Sequence, residues 1–424
     1  MKQPSHQIGF RSSLDALNKG FAWAKETALS YVREDVPVGP CYEAALPGRE
    51  AFCMRDASHQ ALGAHFLGLL PHNRNIMNRF AEYISPSKDW CSFWEVSFYG
   101  GTCPVDYTSD ERFWYNLPAN FDVLTTCGRL AEWTGDCGYL TDPAMARFHS
   151  VSMHEFVRHW DRDGDGIVDR NDADRARGIA SYDEDEFNGY AAAADTLALE
   201  AAAYFEAARM YRLLGEEADA AEMERAGTAV ADSYRNGWWN EEERRYENNL
   251  YADGSLGGIF TCAKAGFPLR YGLITDPKKR EAQLDYLIRQ TPARTIEDQT
   301  YVPEILWKYG KDDEALKLWL HFADENCERR EYPEVSYVMI ETLVTGFLGL
   351  SASAADRRLT VRPAVGAGQW AEISDVPLWD GSVDLRVEGG KSVTLTNRSG
   401  HSLTLVLGGK TVPAADGQTV TLNK

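Results

Sequence analysis

The sequence predicts a mainly α protein, an (α/α)6 barrel followed by a small antiparallel β domain. Three observations predict this class. Apolar residues recur at helical spacing in segment after segment between about residues 12 and 350. About twelve such segments occur, often as pairs across short turns, and paired helices in this number close into an inner and an outer ring. After residue 352 the pattern changes to the alternation of β-strands. We therefore expect a barrel over residues 1–351 and a β-sandwich-like cap over 352–424.

The length of 424 residues is compatible with this organisation. By length alone the chain could hold two or three domains, but closed barrels often exceed that size as single domains. The 44% hydrophobic and 25% charged fractions are those of an ordinary globular protein. The 12 Trp and 20 Tyr residues suit stacking on sugar rings, although packing between large helices explains them equally well.

Each predicted helix is indicated by an apolar face. The first follows a Ser12-Ser13 start signal with Leu14, Leu17, Phe21, Ala24 and Ala28. An Ala-rich helix carries Leu197, Ala201, Tyr204, Ala208 and Tyr211 and ends at Gly215, where a left-handed residue is expected. A final stripe consists of Tyr337, Ile340, Val344 and Phe347. The other predicted helices lie near residues 57–69, 73–84, 117–135, 140–160, 216–235, 257–268, 277–290, 300–309 and 311–326.

The predicted β domain reads as RRLTVRPAV, SVDLRVEG, KSVTLTN, SLTLVLGG and QTVTLNK, with turn residues between these runs. It has few candidate acids, so we interpret it as a structural cap. Long irregular stretches in the helical region are too long for simple connections, and such loops are usually functional. They cover residues 35–55, 86–116, 161–187, 238–256 and 291–299.

Charge and cysteine usage exclude several classes of partner. The formal net charge of −20 disfavours nucleic acids and anionic membrane surfaces, which require basic patches. No apolar run is long enough to span a bilayer. The eight cysteines form no C-x-x-C pair and no zinc spacing with histidine, which is typical of buried thiols in a reducing compartment. We expect a cytoplasmic protein, or a secreted one whose signal peptide has been removed.

The most specific local motif predicts a structural Ca²⁺ site. Carboxylates at alternate positions converge on one hard cation, while Gly166 permits the sharp turn. The predicted ligands are Asp161, Asp163, Asp165, Ile167, Asp169 and Asp172. Position 12 of the loop is Asp172, which is shorter than the Glu usual at this position. The alternative interpretation is an acidic turn that binds no cation.

The stretch 41–60 concentrates acids with arginines and one histidine: Glu43, Arg49, Glu50, Arg55, Asp56 and His59. An arginine beside a carboxylate keeps the acid ionised and offers a fork for hydroxyl or carboxylate groups. We expect these residues to bind a sugar. The alternative is a salt-bridged helix start in which Asp56 caps the helix over 57–69.

Other loops add aromatic and acidic candidates. Trp94 and Glu95 lie in the stretch 86–116, where aromatic and acidic residues alternate as in saccharide sites. Further candidates are Tyr182 and Asp183, Asp298, and the pair Glu334 and Tyr337. Glycoside cleavage needs two carboxyl groups flanking one bond, one protonated and one ionised. G-x-S-x-G, P-loop, H-E-x-x-H and G-x-G-x-x-G motifs are missing from the sequence, which disfavours serine hydrolysis, phosphoryl transfer and dinucleotide chemistry.

Three stretches resemble the six-hairpin glycosidases, the clan that includes α-L-rhamnosidases and the family 116 β-glucosidases. The Arg55-Asp56 pair is similar to the Arg-Asp that lines the terminal-sugar subsite in that clan. The run DRDGDGIVDR…GIASYDEDEFNGY resembles the family 116 segment in which a D-x-D-G-D-G loop precedes a Thr-Tyr-Asp. EVSYVMIETLVTGFLGL followed by RRLTVRPAV resembles the last barrel helix and the start of the β cap.

The resemblance implies an (α/α)6 fold and glycoside hydrolysis. Matching Ser181-Tyr182-Asp183 to the family motif assigns the role of general acid to Asp183. The family 116 nucleophile segment Asn-Thr-Tyr-Asp is not matched, because Phe-Cys-Met-Arg-Asp occupies that place. The partner carboxylate therefore remains open among Glu334, Asp56 and Glu50.

The sequence thus predicts an exo-acting glycoside hydrolase for a terminal sugar of an oligosaccharide or glycoside. Two arginines beside one acid also suit a uronic acid, such as that of a glucuronide. One alternative is an (α/α)-barrel lyase or sugar epimerase, with His59, Tyr182 or Tyr337 as the base. The other is a glycan-binding protein without catalytic activity.

Overall fold

The computed structural model describes residues 8–170, 177–182 and 189–424. Its helices are numbered in chain order: α1 Asp15–Ser30, α2 Met54–Phe66, α3 Leu70–Tyr83, α4 Pro118–Thr134, α5 Gly138–Thr141, α6 Pro143–Val151, α7 Val157–Trp160, α8 Ala194–Leu214, α9 Glu217–Gly237, α10 Cys262–Arg270, α11 Pro277–Gln290, α12 Ile296–Gln299, α13 Val302–Lys308, α14 Asp312–Ala323 and α15 Pro333–Thr342. A π-helical turn, Leu343–Phe347, extends α15.

Short strands occur among the helices, and longer ones follow them. The first group is β1 Gly9–Ser12, β2 Val32–Arg33, β3 Cys41–Tyr42, β4 Ala51–Cys53, β5 Glu95–Ser97, β6 Tyr107–Ser109, β7 Arg112–Phe113, β8 Tyr115–Asn116, β9 Arg177–Ile179, β10 Tyr190–Ala193, β11 Trp239–Asn240, β12 Arg245–Tyr246, β13 Asn249–Tyr251 and β14 Leu256–Gly257. The second is β15 Leu350–Ser353, β16 Arg358–Val361, β17 Trp370–Leu378, β18 Gly381–Glu388, β19 Ser392–Arg398, β20 Leu403–Leu407, β21 Lys410–Ala414 and β22 Thr419–Asn423.

Six helices of the described chain contact one another in a closed cycle. Helix α2 packs on α4, α4 on α8, α8 on α10 and α10 on α13. The π-helical extension of α15 then packs on α13, and α15 packs on α2. We call these six helices the inner ring. Each has a neighbour outside the ring, for example α9 against α8 and α14 against α13.

Most predicted helices are confirmed, and the deviations have local causes. Gly215 ends α8 with a φ of 80°, the left-handed conformation expected there. The helix predicted over 140–160 is confirmed from Pro143 to Trp160, where α6, a π-helical turn at Ser152–Phe156 and α7 follow one another without a break, but its predicted start is wrong. Asp142 is extended because it precedes Pro143, so α5 ends there and α6 begins at the proline. Helix α10 begins at Cys262, later than predicted, because the Thr261 side chain caps it by accepting a bond from the Lys264 N–H.

The strand-rich region contains two sheets, in the orders β1-β17-β18-β19-β22 and β15-β16-β20-β21. It is not purely antiparallel as predicted, because β16 and β20 pair in parallel. Strand β1 at the start of the chain joins β17, a pairing too short and too distant in sequence for periodicity to predict. Strand β15 begins at Leu350 and therefore crosses the predicted boundary at 351/352.

The strand-rich region packs on the ends of the inner-ring helices. The backbone N–H of Trp379 donates to Trp133 O near the end of α4 at 2.9 Å. Arg362 donates to Trp307 O near the end of α13 at 2.9 Å. The beginnings of the inner-ring helices therefore lie at the other end. No helix in the described part of the chain is long and apolar enough to cross a membrane.

Candidate active site

A cavity of about 560 Å³ opens where helices α2, α10 and α13 begin. Its size is that of small-molecule sites. The lining residues are mostly polar or aromatic: Ala45, Leu46, Arg49, Cys53, Arg55, Asp56, His59, Trp94, Glu95, Asp106, Trp114, Tyr182, Thr261, Ala263, Arg294, Thr295, Glu297, Asp298, Tyr301, Arg329 and Tyr332. Every one of them precedes the strand-rich region in the chain.

Asp56 is a buried, ionised carboxylate in the cavity wall. It lies in the first turn of α2 and is 2% exposed. The Cys53 thiol and the Tyr332 hydroxyl both donate hydrogen bonds to it. Arg55 Nη2 lies 3.5 Å from Asp56 Oδ1. Burial alone would raise the pKa of Asp56, but Arg55 and hydrogen bonds with Cys53, Tyr332 and Glu334 outweigh burial and hold this pKa below its ordinary value.

The predicted alternative role of Asp56 as a helix cap is wrong. The N-cap of α2 is Cys53, whose sulfur accepts a bond from the Asp56 N–H. The Asp56 carboxylate is thus not engaged with its own helix, and it accepts the hydrogen bonds of Cys53 and Tyr332 instead.

His59, one turn along α2, is buried between two carboxylates. Its Nε2 lies 3.1 Å from Asp122 Oδ2, and its Nδ1 lies 3.3 Å from Glu334 Oε1. Burial would lower the pKa of His59, but the two carboxylates outweigh burial and raise it to about 9. His59 is therefore a fixed cation at neutral pH. The Thr300 hydroxyl also donates to Glu334, so this acid is engaged on both sides.

The Tyr182 side chain lines the cavity, and hydrogen bonds from its hydroxyl group and its backbone N–H hold it in place. Its hydroxyl donates to Asp122 Oδ2 at 2.9 Å. Its backbone N–H and the Ser181 hydroxyl both donate to Asp195 Oδ2, at 2.8 and 2.9 Å. Asp195, in the first turn of α8, thus fixes the backbone just before residue 183.

Glu95 differs from Asp56 in its state of ionisation. It is 5% exposed, on strand β5, beside Asp106. Burial, and next the hydrogen bond and charge of Asp106, raise the pKa of Glu95 to about 9, although Arg49 opposes the shift. Arg49 Nη1 lies 3.6 Å from Glu95 Oε2. Glu95 is therefore protonated at neutral pH, whereas Asp56 in the same cavity is ionised.

Four arginines line the cavity, and each lies beside a carboxyl group. Arg49 and Arg55 lie beside Glu95 and Asp56. Arg294 Nε lies 2.6 Å from Asp298 Oδ2, and Arg329 forms an ion pair with Glu297. Asp298 also accepts the Cys262 N–H at 3.0 Å and so caps the start of α10. An acid thus lies beside each of the four arginines, but the Glu95 beside Arg49 is protonated.

The structure gathers most of the candidates that the sequence singled out. The cavity wall contains Arg49, Arg55, Asp56, His59, Trp94, Glu95, Tyr182 and Asp298. Glu334 lies behind the wall, against His59. Asp183, the predicted general acid, falls outside the described residues, as does Asp172 of the predicted calcium loop.

Three predicted substrate-binding residues do not reach the cavity. Tyr337 is fully buried, and its hydroxyl donates to Ala28 O in helix α1 at 2.8 Å. Glu43 is buried, with one oxygen accepting the Glu50 N–H at 3.4 Å. Glu50 accepts a bond from the Tyr99 hydroxyl at an exposed position. The side chains of these residues hold neighbouring segments of the chain in place. Sequence spacing alone does not distinguish such a structural role from contact with a substrate.

Four residues of the site were not predicted from the sequence: Asp122, Asp195, Arg329 and Tyr332. Asp122 and Asp195 had a usable signal. Both are acids among apolar residues near the start of a helix, where they are buried at 2% and 0% exposure. Buried acids need partners, so they indicate a polar network. Tyr332 had no such signal, because it contacts Asp56 across 276 residues of chain.

The predicted calcium loop brings three carboxylates together. Oxygens of Asp161, Asp163 and Asp169 lie within 4.8 Å of one another. The loop folds through its own backbone, since Asp161 accepts the Gly164 and Gly166 N–H groups at 2.8 and 3.0 Å. Glycine at position 166 has a φ of 87°, as the predicted sharp turn requires.

No protein-family model and no curated protein matches this sequence. Solved structures do match it in fold. A GH78-family rhamnosidase of Bacillus sp. GL1 has a TM-score of 0.64 at 17% identity, over 92% of this chain and 40% of the rhamnosidase. An α-L-rhamnosidase from Aspergillus terreus has a TM-score of 0.63 at 14% identity, over 98% of this chain and 50% of its own.

A third similar structure is a glycosidase in complex with glucose, with a TM-score of 0.55 at 10% identity. There 77% of this chain covers 97% of the glycosidase. The chain therefore has the fold of six-hairpin glycosidases, as the sequence resemblance implied. It spans half or less of the length of the two rhamnosidases.

Proposed function

We propose that this protein is an exo-acting glycoside hydrolase that removes a terminal sugar from an oligosaccharide or glycoside. We interpret the inner ring and its outer neighbours as an (α/α)6 barrel with the active site at the cavity. The observation that carries the proposal is Asp56. It is an ionised carboxylate, buried yet facing a cavity with the aromatic residues Trp94 and Trp114 in its wall.

Asp56 is our choice for the carboxylate partner of the general acid. Its hydrogen bonds from Cys53 and Tyr332 keep the charge localised and oriented. Glu334, the other main candidate, does not line the cavity and is engaged by His59, Thr300 and Asp56. Burial raises the pKa of Glu334, and its part in this mechanism is to position His59 and Asp56. The resemblance to family 116 assigns the general acid to Asp183.

The charge balance of the cavity favours neutral sugars over uronic acids. A uronate carboxylate binds well where an arginine lacks a counter-ion. Here Arg55, Arg294 and Arg329 each pair with Asp56, Asp298 or Glu297, whereas the Glu95 beside Arg49 is protonated. A glucuronide would compete with these acids, so we rank glucuronides below neutral glycosides.

A panel of aryl α- and β-glycosides, glucuronides included, tests the proposal. We expect release of the aryl alcohol and one free sugar from at least one neutral glycoside. Asp56→Asn should lower kcat/KM on it by about 10³-fold or more, because the variant keeps the shape and loses the charge. Asp253→Asn, in an exposed turn, is the matched control and should leave kcat/KM unchanged.

The same experiment separates the alternatives. A product that absorbs in the ultraviolet, as an unsaturated sugar does, would indicate a lyase instead. Tight binding of glycans without any release of sugar would indicate a binding protein. The lyase alternative has lost its strongest base, because His59 is protonated at neutral pH with a pKa of about 9. Burial also raises the pKa of Tyr182.

We also propose that the loop beginning at Asp161 binds Ca²⁺ and stabilises the fold. Three of its carboxylates converge, and Glu200 of helix α8 adds an independent observation. Glu200 is fully buried, and its Oε2 accepts the Val168 N–H of the loop at 3.3 Å. Its Oε1 has no hydrogen-bond partner within the described part of the chain. A hard cation would offset this concentration of negative charge.

Thermal unfolding with and without CaCl₂ tests this site. Calcium at 100 times its Kd should stabilise the fold by about 2.7 kcal/mol, and EDTA should reverse the effect. Asp163→Asn should abolish the calcium-dependent rise in Tm, while Asp253→Asn should retain it. An equal rise in all three proteins would contradict the assignment.

A further inference from the structure

Glu95 is a second carboxyl group in the wall of the cavity that Asp56 lines. Strand β5 pairs antiparallel with β4, and Glu95 is the register partner of Cys53. Cys53 in turn caps α2, whose first turn carries Asp56. One antiparallel strand pair and one helix start therefore fix both carboxyl groups in the wall of a single cavity. This arrangement is tertiary, because the two acids are 39 positions apart in the chain.

We propose that Glu95 is the catalytic general acid, which donates its proton to the glycosidic oxygen of the bound substrate. This proposal rests on the proposed glycoside hydrolase function. It replaces Asp183 in the role of acid that the family resemblance implies, and it gives Glu95 more than a part in substrate binding.

Three features of its surroundings suit Glu95 to this role. It shares a hydrogen bond with Asp106, so one of the two acids retains a proton. Its Oε2 accepts no hydrogen bond from any residue that the structure describes. The nearest cation, Arg49 Nη1, is 3.6 Å away, beyond hydrogen-bond distance. Cys103 also shares a hydrogen bond with Glu95. The Glu95 carboxyl group is therefore held by Asp106 and Cys103, and its buried Oε2 remains unpaired among the described residues.

The two environments shift the pKa values of Glu95 and Asp56 in opposite directions, as glycoside cleavage requires. Burial and Asp106 raise the pKa of Glu95 to about 9, whereas Arg55, Cys53 and Tyr332 hold the pKa of Asp56 low despite its burial. At neutral pH Glu95 is therefore protonated and Asp56 ionised, as in established pairs of glycosidase carboxyls.

The chemistry balances with water as the only co-reactant. The C1–O bond breaks, its electron pair goes to the leaving oxygen, and the Glu95 proton neutralises that oxygen to give the free alcohol. The Asp56 carboxylate stabilises the positive charge that develops at C1. Water then supplies a hydroxyl group to C1, and the proton that water loses restores the protonated state of Glu95 directly or through solvent.

Dependence on the leaving group distinguishes Glu95 from Asp183. An alkyl glycoside needs protonation of its leaving oxygen, whereas a dinitrophenyl glycoside leaves without it. With an alkyl glycoside, Glu95→Gln should lower kcat/KM by about 10³-fold, but with the dinitrophenyl glycoside by less than about 10-fold. Asp183→Asn should lower both rates by similar factors. The exposed Glu111→Gln on the same loop is the matched control and should match the parent.

A second variant tests the same role without removing the acid. Asp106→Asn removes the neighbouring carboxylate that helps to raise the pKa of Glu95. The basic limb of the kcat/KM profile, expected near pH 9 in the parent, should move to lower pH. In Glu95→Gln this limb should disappear. Thermal unfolding of both variants establishes that they fold.

The outcomes separate the two proposals. If the parent cleaves glycosides but Glu95→Gln affects both leaving groups equally, or Asp183→Asn shows the leaving-group dependence, then Glu95 is not the acid and the hydrolase proposal stands. An unmoved basic limb in Asp106→Asn also contradicts the role of Glu95. If the parent cleaves no glycoside of either kind, the proposed function itself fails.

Discussion

Asp56 and His59 are buried ions of opposite charge that lie one turn apart on helix α2. Each requires hydrogen-bond or ion-pair partners that stabilise its charge. Burial of a lone ion is costly, so each charge must be offset by hydrogen bonds or a counter-ion. Asp56 has donors from Cys53 and Tyr332, and His59 has Asp122 and Glu334. The neighbours therefore determine which acid in the site is ionised.

At this residue scale, Tyr332→Phe should raise the pKa of Asp56, because it removes a hydrogen bond that favours the carboxylate. We expect the acid limb of the kcat/KM profile to move up by about one pH unit. The pH profile with a cleaved aryl glycoside measures the shift. Tyr31→Phe, which loses a hydroxyl bond to the Glu331 carbonyl instead, is the matched control. An acid limb that stays in place would contradict the assignment of that limb to Asp56.

His59 should make the stability of the fold depend on pH. Its pKa of about 9 in the folded protein exceeds the ordinary value of 6.5. Its contribution is therefore complete below pH 6.5 and is lost as the pH rises through 9, with a magnitude on the order of 3 kcal/mol. Denaturant unfolding at pH 6 and 9.5 measures this loss.

His59→Asn should lose less stability than the parent over this interval. The exposed His321→Asn should lose as much as the parent. Since all three proteins keep Glu95, its titration cancels in the comparison. An identical loss in His59→Asn and the parent would show that the imidazole stays neutral.

At the scale of elements, helices α2 and α15 approach closely, and this brings Glu334 against His59. Gly63 permits the approach. A Cβ at this position would lie 2.1 Å from the Tyr337 carbonyl oxygen of α15. The two helices could not keep their present separation with any larger residue. Sequence periodicity identified both helices but could not predict this contact.

Gly63→Ala should therefore destabilise the protein despite the higher helix propensity of alanine. We expect a loss of about 1–3 kcal/mol in the free energy of unfolding, from the displaced helix. Gly237→Ala, at the end of α9, has nothing within 4 Å of its Cβ and should be neutral or slightly stabilising. Urea unfolding of the two variants measures the difference, and equal stabilities would contradict the close packing.

At the scale of the whole molecule, the strand-rich region closes one end of the helical region and leaves the cavity at the other. Trp379 anchors it there. The indole Nε1 donates to Glu132 O at 3.2 Å, and Arg357 lies 4.8 Å from the ring centre. Stability and substrate binding should thus depend on opposite ends of the protein.

Trp379→Ala should lower the free energy of unfolding by about 3 kcal/mol, the usual cost of removing a buried tryptophan. KM for a cleaved glycoside should stay unchanged, because no described residue after Tyr332 lines the cavity. Trp370→Ala, half-buried at the start of β17, is the control and should cost less than about 1 kcal/mol. A large rise in KM for Trp379→Ala would contradict this separation.

The sequence by itself determined the helices, the change to β structure after about residue 350, and the loops that carry the site. These features depend on local periodicity and on turn residues such as Gly215. Only the tertiary structure decided the chemistry of the loops. It placed Tyr332 on Asp56, Asp106 beside Glu95, and Tyr337 away from the cavity. The ionisation of an acid depends on its burial and on partners far away in the chain. The spacing of residues in the sequence could therefore identify the candidate carboxylates but could not predict which of them are ionised.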